Sequence, residues 1–214
     1  MEQELTKILK FTHELNKVKN LLRFKGMLGW ENENIKRWDS VAEHSYRMAL
    51  LAVMIAPYLK EKVSLEKVLK IILVHDIVEI IALDHNAFVL DKNGGGHAFD
   101  EKAFNKKYKM ETAAAEIIFK SLPKGLYLEF KNLFADYINT KARKEFSTKE
   151  GRFAYALDKI EAVVQIIDWK KESRNWEKES FEKSMNYMHE WSDHEPVLKY
   201  LANLIENEGR NLVV

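Results

Sequence analysis

A chain of 214 residues in which 46% are hydrophobic is long enough to bury a full core. Its 34 Lys and Arg nearly cancel its 33 Asp and Glu, so no net field gathers nucleic acid or an anionic membrane surface, and any anion recognition must be local. The absence of cysteine excludes disulfides, iron–sulfur ligation and thiol catalysis, and leaves His, Asp and Glu as the strong metal ligands.

With three prolines and eight glycines, and apolar residues recurring at spacings of three and four, the pattern predicts an all-α fold in one domain, 1–214. The N-terminus (MEQELTKILK) is charged throughout, lacks the apolar stretch of a secretory signal, and opens a helix predicted over about 2–22. A second helix is predicted over about 40–57. The longest apolar run, 48–59, falls within and just beyond it and is too short to span a bilayer. With no cysteine to protect, the expectation is a cytoplasmic protein that makes no membrane contact. A third helix follows over about 64–83, with Ser64 as its cap and Glu66 in its first turn.

The glycine-rich 91–96 segment (DKNGGG) has neither a GxxxxGK[ST] nor a GxGxxG pattern and follows no strand. It reads as a surface loop that could serve as a lid. Further helices are predicted over about 98–121, 124–140, 147–172, 177–191 and 195–208. Ser147 and Glu150 suit a capping box for the third of these five, and Pro196 suits the first turn of the last. Lys102, Lys106, Lys107 and Lys109 read as a solvated helix face rather than a nucleic-acid surface. Phe181, Met185, Met188 and Trp191 read as a core stripe.

The informative segment is 71–83 (IILVHDIVEIIAL), apolar except for His75, Asp76 and Glu79. A helix apolar on nearly every side belongs in the interior. Burying even a neutral, unpaired polar group there costs on the order of 2–7 kcal/mol, so the trio needs compensation. A shared cation is one way to supply it, and a closed His–Asp–Glu hydrogen-bond network is the other. On one helix His75 and Glu79 would sit one turn apart and Asp76 about 100° round, so His75 and Asp76 can grip one ion. Glu79 would then stand over the ion as a base for water. Two protein ligands seldom hold a catalytic ion. The candidates to complete the set are His44, in SVAEHSYRMALLAV, and Asp158, in RFAYALDKIEAVVQII, which stands off an apolar stripe with Ala154 and Ala162 a turn away on either side.

The order His44, His75-Asp76, Asp158 resembles the H…HD…D signature of the HD-domain metal-dependent phosphohydrolases. The flanking text is more specific than the dipeptide: GW at 29–30, RWDSVAEHSYRMA at 37–49, LVHDIVE at 73–79, ETAAAEIIFKSLP at 111–123 and TKEGRFAYALDKI at 148–160. It is similar to the branch containing bacterial 5′-deoxynucleotidases and related small HD-domain proteins, over about 20–165. The resemblance implies an HD-domain helical bundle, with C-terminal helices at 175–208 packing on it, that holds one divalent metal ion on His44, His75, Asp76 and Asp158. Donor types place Mn, Fe, Co, Ni and Zn ahead of Mg. A second ion would call on His85 and His97.

The resemblance further implies that Glu79 is catalytic, that Asp84 positions water or substrate, and that Trp30 lies near the sugar. It implies a homodimer that hydrolyses deoxyribonucleoside 5′-monophosphates. Where the bacterial enzymes carry a phosphate-binding arginine this chain has Gly29, and Arg37 is the best substitute, with Lys36, Arg23 and Lys25 behind it. The segment after Asp84 also lacks the family's proline turn. Two rival readings stay open: a phosphohydrolase of another nucleotide, such as a triphosphate or signalling nucleotide, and a non-enzymatic regulator stabilised by its metal.

Overall fold

A computed structural model describes residues 1–25, 35–83, 98, 100–143, 147–173 and 175–214. Among these, the regular backbone is helical. The helices are α1 (Glu2–Leu15), α2 (Val41–Ile55), α3 (Leu65–Val74), α4 (Glu79–Ala82), α5 (Glu101–Phe119), α6 (Lys124–Lys141), α7 (Lys149–Ser173), α8 (Lys178–Ser192) and α9 (Pro196–Arg210). Extended pairing among the described residues amounts to two isolated bridges, Leu22 with Ser40 and Trp176 with Val213. The all-α expectation holds, and no helix among the described residues is long and apolar enough to cross a membrane. The 91–96 loop lies outside the described residues.

Helix α7 forms the axis of the bundle, because Phe153, Ala154, Tyr155, Ala156 and Leu157 are all buried in succession, and a helix apolar on every side must be wrapped by others. It is packed by α2, α3, α6, α8 and α9. The core runs through Met48 of α2, Ile71 and Ile72 of α3, Phe119 of α5, Phe134 of α6, Met188 of α8 and Leu198 of α9. Phe181, Met185 and Met188 are core as expected, and Trp191 stands edge-on to Tyr155 with ring centroids 4.5 Å apart.

Helix α6 approaches the axis closely at Gly151. A Cβ on Gly151 would lie 2.4 Å from the Asp136 carbonyl oxygen, so only glycine lets the two backbones come that near. This contact falls about one turn before Ala154, itself fully buried.

The helix starts follow local chemistry. Ser40 and Glu43 form a reciprocal capping box on α2. The Ser64 hydroxyl accepts from the Lys67 N–H, as expected. At α7 the expected Ser147–Glu150 box is replaced: Thr148 accepts from the Gly151 N–H at 3.0 Å, and Glu150 accepts from the Ser64 N–H at 3.0 Å. Glu150 thus ties the start of α3 to α7, which a local box could not do.

Two predicted helices are shorter than expected. The first ends at Leu15 and tightens into a 3₁₀ turn, Asn16–Lys19. The third is broken: α3 stops at Val74, residues 75–78 form turns, and α4 restarts at Glu79. Over this break the N–H groups of Ile77, Glu79, Ile80 and Ile81 bond three residues back rather than four. Such tightening turns successive side chains by about 120° instead of 100°.

Candidate metal centre

Three elements bring the predicted ligands together. His44 comes from α2, His75 and Asp76 from the tightened turn after α3, and Asp158 from α7. His44, His75 and Asp158 are buried, while the Asp76 side chain is 17% exposed. His44 Nε2 lies 3.2 Å from Asp158 Oδ1 and 3.7 Å from Asp76 Oδ2. His75 Nε2 lies 3.1 Å from Asp76 Oδ2. One donor atom each from His44, His75 and Asp158 lies within 4.8 Å of the others, which suits a shared cation.

The electrostatics favour one. Burial alone would raise both carboxyl groups. For Asp76 the imidazoles of His75 and His44 prevail, and for Asp158 the Lys159 ammonium and the two imidazoles prevail; both stay below the usual carboxylate range and ionised. Burial and the Arg23 guanidinium push His44 down, but the Glu161 and Asp158 carboxylates outweigh them and raise it to about 9. Both Nε2 atoms are buried and neither sits in hydrogen-bond geometry with any group, a costly arrangement that a coordinated cation relieves. Two imidazoles and two carboxylates with donors turned inward fit a divalent transition metal.

Surrounding groups fix each donor. His75 Nδ1 lies 2.7 Å from the Ile72 carbonyl, to which it donates, leaving Nε2 as the inward acceptor. The Tyr137 hydroxyl donates to Asp158 Oδ2 at 2.6 Å, and Lys159 Nζ donates to the same oxygen at 2.5 Å. Oδ1 is left to face His44. His44 Nδ1 is bonded by Glu161, a fully buried carboxylate.

Glu79 is buried, and its carboxylate lies 3.9 Å from Lys107 Nζ. Lys107 therefore belongs to the interior, a correction to the solvated face expected of its helix: it reaches Glu111 at 3.4 Å, which in turn accepts from the buried Lys141 at 2.8 Å. The candidate phosphate cations fall differently. Arg37 is three-quarters exposed and pairs with Glu43, and Lys36 is exposed 3.4 Å from Glu172. Arg23 is buried against Glu161, and Lys25 is exposed. Trp30, Asp84, His85 and His97 lie outside the described residues.

Sequence reasoning missed Glu161, Tyr137 and Lys159. Glu161 carried a readable signal, as a charged residue in the apolar run of α7 one turn after Asp158. Tyr137 carried none, because nothing local distinguishes it from a core tyrosine.

The chain belongs to the HD-domain family: residues 15–196 match the family described as HD domain. More particularly, it is similar to a Xenopus laevis protein named 5′-deoxynucleotidase HDDC2, with 26% identity over 164 residues, 77% of this chain and 70% of the relative. The protein of that name from Dictyostelium discoideum is 25% identical over 213 residues, 96% of this chain and 100% of the relative. Among solved structures, a predicted metal-dependent phosphohydrolase from Magnetospirillum magnetotacticum MS-1 superposes with a TM-score of 0.68 at 26% identity, covering 97% of this chain and 94% of that one.

Proposed function

We propose that this protein is a metal-dependent phosphohydrolase that releases phosphate from deoxyribonucleoside 5′-monophosphates. The observation that carries the reading is that one donor atom each of His44, His75 and Asp158 lies within 4.8 Å of the others, with Asp76 Oδ2 beside both imidazoles and both inward imidazole nitrogens buried and without a hydrogen bond. The names of the similar proteins supply the substrate class.

A divalent ion held by these four residues would polarise the phosphoryl oxygens and lower the pKa of water from 15.7 toward roughly 7. Glu79 takes the proton of the attacking water. The water oxygen bonds to phosphorus, the bond to the 5′-oxygen breaks, and that oxygen takes up a proton to leave as the nucleoside hydroxyl. Arg37 serves the phosphate: its pair with Glu43 is exposed and screened by solvent, so the guanidinium exchanges Glu43 for a phosphate dianion at little cost. Trp30 against the sugar and Asp84 positioning water or substrate complete the site. The ion is Mn, Fe, Co, Ni, Zn or Mg.

In this reading the chain is one HD-type domain with α8 and α9 packed on α7, works as a homodimer in the cytoplasm, and takes neither nucleic acid nor membrane as partner. The test is phosphate release across deoxyribo- and ribonucleoside mono-, di- and triphosphates with Mn, Co or Mg added. Release from deoxyribonucleoside 5′-monophosphates, abolished by a chelator, is expected. Release confined to triphosphates, or inactivity on every ester with metal-dependent melting retained, would replace this reading with one of its rivals.

A further inference from the structure

An imidazole that presents Nε2 to a cation has to be held by Nδ1. For His75 the main chain does this, through the Ile72 carbonyl. His44 stands in the first turn of α2, and its Nδ1 meets no backbone carbonyl among the described residues but side chains from other elements, so its support comes from elsewhere in the chain.

That support is Glu161, one turn beyond Asp158 on α7. Its carboxylate is fully buried and saturated by three groups from other parts of the chain. His44 Nδ1 and Arg23 Nη1 both meet Oε2, the latter at 2.8 Å, and Arg47 meets Oε1 through Nε at 2.7 Å and Nη2 at 2.6 Å. Arg23 Nη1 also lies 2.7 Å from His44 Nδ1. A guanidinium offers only N–H groups, and the shared acceptor of both nitrogens is the Glu161 oxygen. Nδ1 therefore carries the hydrogen and Nε2 is the atom left to coordinate.

Each arginine is itself placed. The Leu22–Ser40 bridge, closed by Arg23 N–H to the Asp39 carbonyl at 2.8 Å and Val41 N–H to the Leu21 carbonyl at 2.9 Å, lays Arg23 beside the first turn of α2. Arg47, one turn after His44, runs along α7 and reaches Asp168 at 3.0 Å and Gln165 beyond Glu161. A buried ion pair contributes little to stability compared with apolar residues of the same volume, so fold stability alone does not account for a charged triad at this position. Aiming His44 does.

We infer that Glu161 is a positioning residue for the metal centre: it fixes the tautomer and ring orientation of His44, with Arg23 and Arg47 as its clamps. This rests on reading His44, His75, Asp76 and Asp158 as metal ligands. One helix then supplies a ligand, Asp158, and the group that aims the opposite ligand. A shift of α7 would loosen both together.

The experiment is direct Mn(II) binding to the metal-stripped full chain, by calorimetry and by electron paramagnetic resonance of free Mn(II). The variants are E161Q, E161D and R47Q, with H44A as the ligand control. E161Q should bind Mn(II) about 10–100-fold more weakly. E161D should recover part of that loss and R47Q should lose less. A merely structural ion pair would lower the melting temperature and leave the Mn(II) affinity of the folded protein unchanged. Parent-like affinity in folded E161Q therefore overturns the inference, and if E161Q does not fold, parent-like affinity in R47Q does so. If the parent chain binds no Mn(II), or H44A binds as the parent does, the metal reading itself falls, and the role of Glu161 with it.

Discussion

Glu79 and the four proposed ligands answer to different tests, because a base and a ligand fail differently when removed. The E79Q substitution keeps the shape of the side chain and takes away its proton affinity. It should lower turnover by about 10²–10⁴-fold while the bound Mn content measured by atomic absorption stays at the parent level. Near-parental turnover would remove Glu79 from the proposed role. The surrounding residues explain why the pocket tolerates so much charge. Three of the buried carboxylates meet donors: Asp158 takes Tyr137 and Lys159, Glu111 takes Lys141, and Glu161 takes both arginines. In a low dielectric a half-satisfied network would cost more than an apolar core, so these partners are a condition for the site to exist.

Between elements, two contacts set the positions of α5, α6 and α7. At Gly151 the added methyl of a G151A variant would press on the Asp136 carbonyl oxygen and on Thr140 Oγ1, 2.9 Å away. Backbone cannot swing aside as a side chain does, so α7 must retreat from α6. A loss of about 1–3 kcal/mol in urea unfolding is expected. Mn(II) binding should weaken too, since Tyr137 of α6 bonds Asp158 of α7. The second contact is Lys141 of α6 against Glu111 of α5. Burial pushes Lys141 down to about 8, with Glu111 opposing and Lys107 adding to the shift. The unfolded chain, with an ordinary lysine near 10.4, then binds more protons between those two values, so stability rises with pH through that window. Below it Lys141 is charged in both states and the cost of burying it is constant. The stability of the parent relative to K141M should therefore increase from pH 8 to 10, and a flat difference in urea midpoints would show that Lys141 is not strained by its burial.

For the whole molecule, the metal centre joins α2, the end of α3 and α7, three segments distant in the chain, so a bound ion should act as a cross-link of the folded state only. At Mn(II) a hundredfold above its Kd, the linkage gain is about 2.7 kcal/mol, which for a domain of this size raises Tm by about 5–10 °C. Scanning calorimetry with and without a chelator measures it, and H75A should show no rise. Much of this was legible in the residues. Helical periodicity depends only on nearest turns, so most of the helices and the all-α class follow from the sequence. The proposed ligands were candidates in the sequence too, because His75 and Asp76 interrupt an apolar run where an unpaired polar group would be penalised, and His44 and Asp158 complete the pattern that the resemblance implies. Folding alone decided the rest. The break after Val74 comes from local backbone tightening that no residue type announces. Lys107 looked solvated and is buried, because its charge is met by Glu79 and Glu111 from other turns. Arg23, a candidate for phosphate in the sequence, is spent on Glu161. Partners such as these lie up to 138 residues apart in the chain, and the dielectric and the desolvation that set their energies exist only once the helices have closed around them.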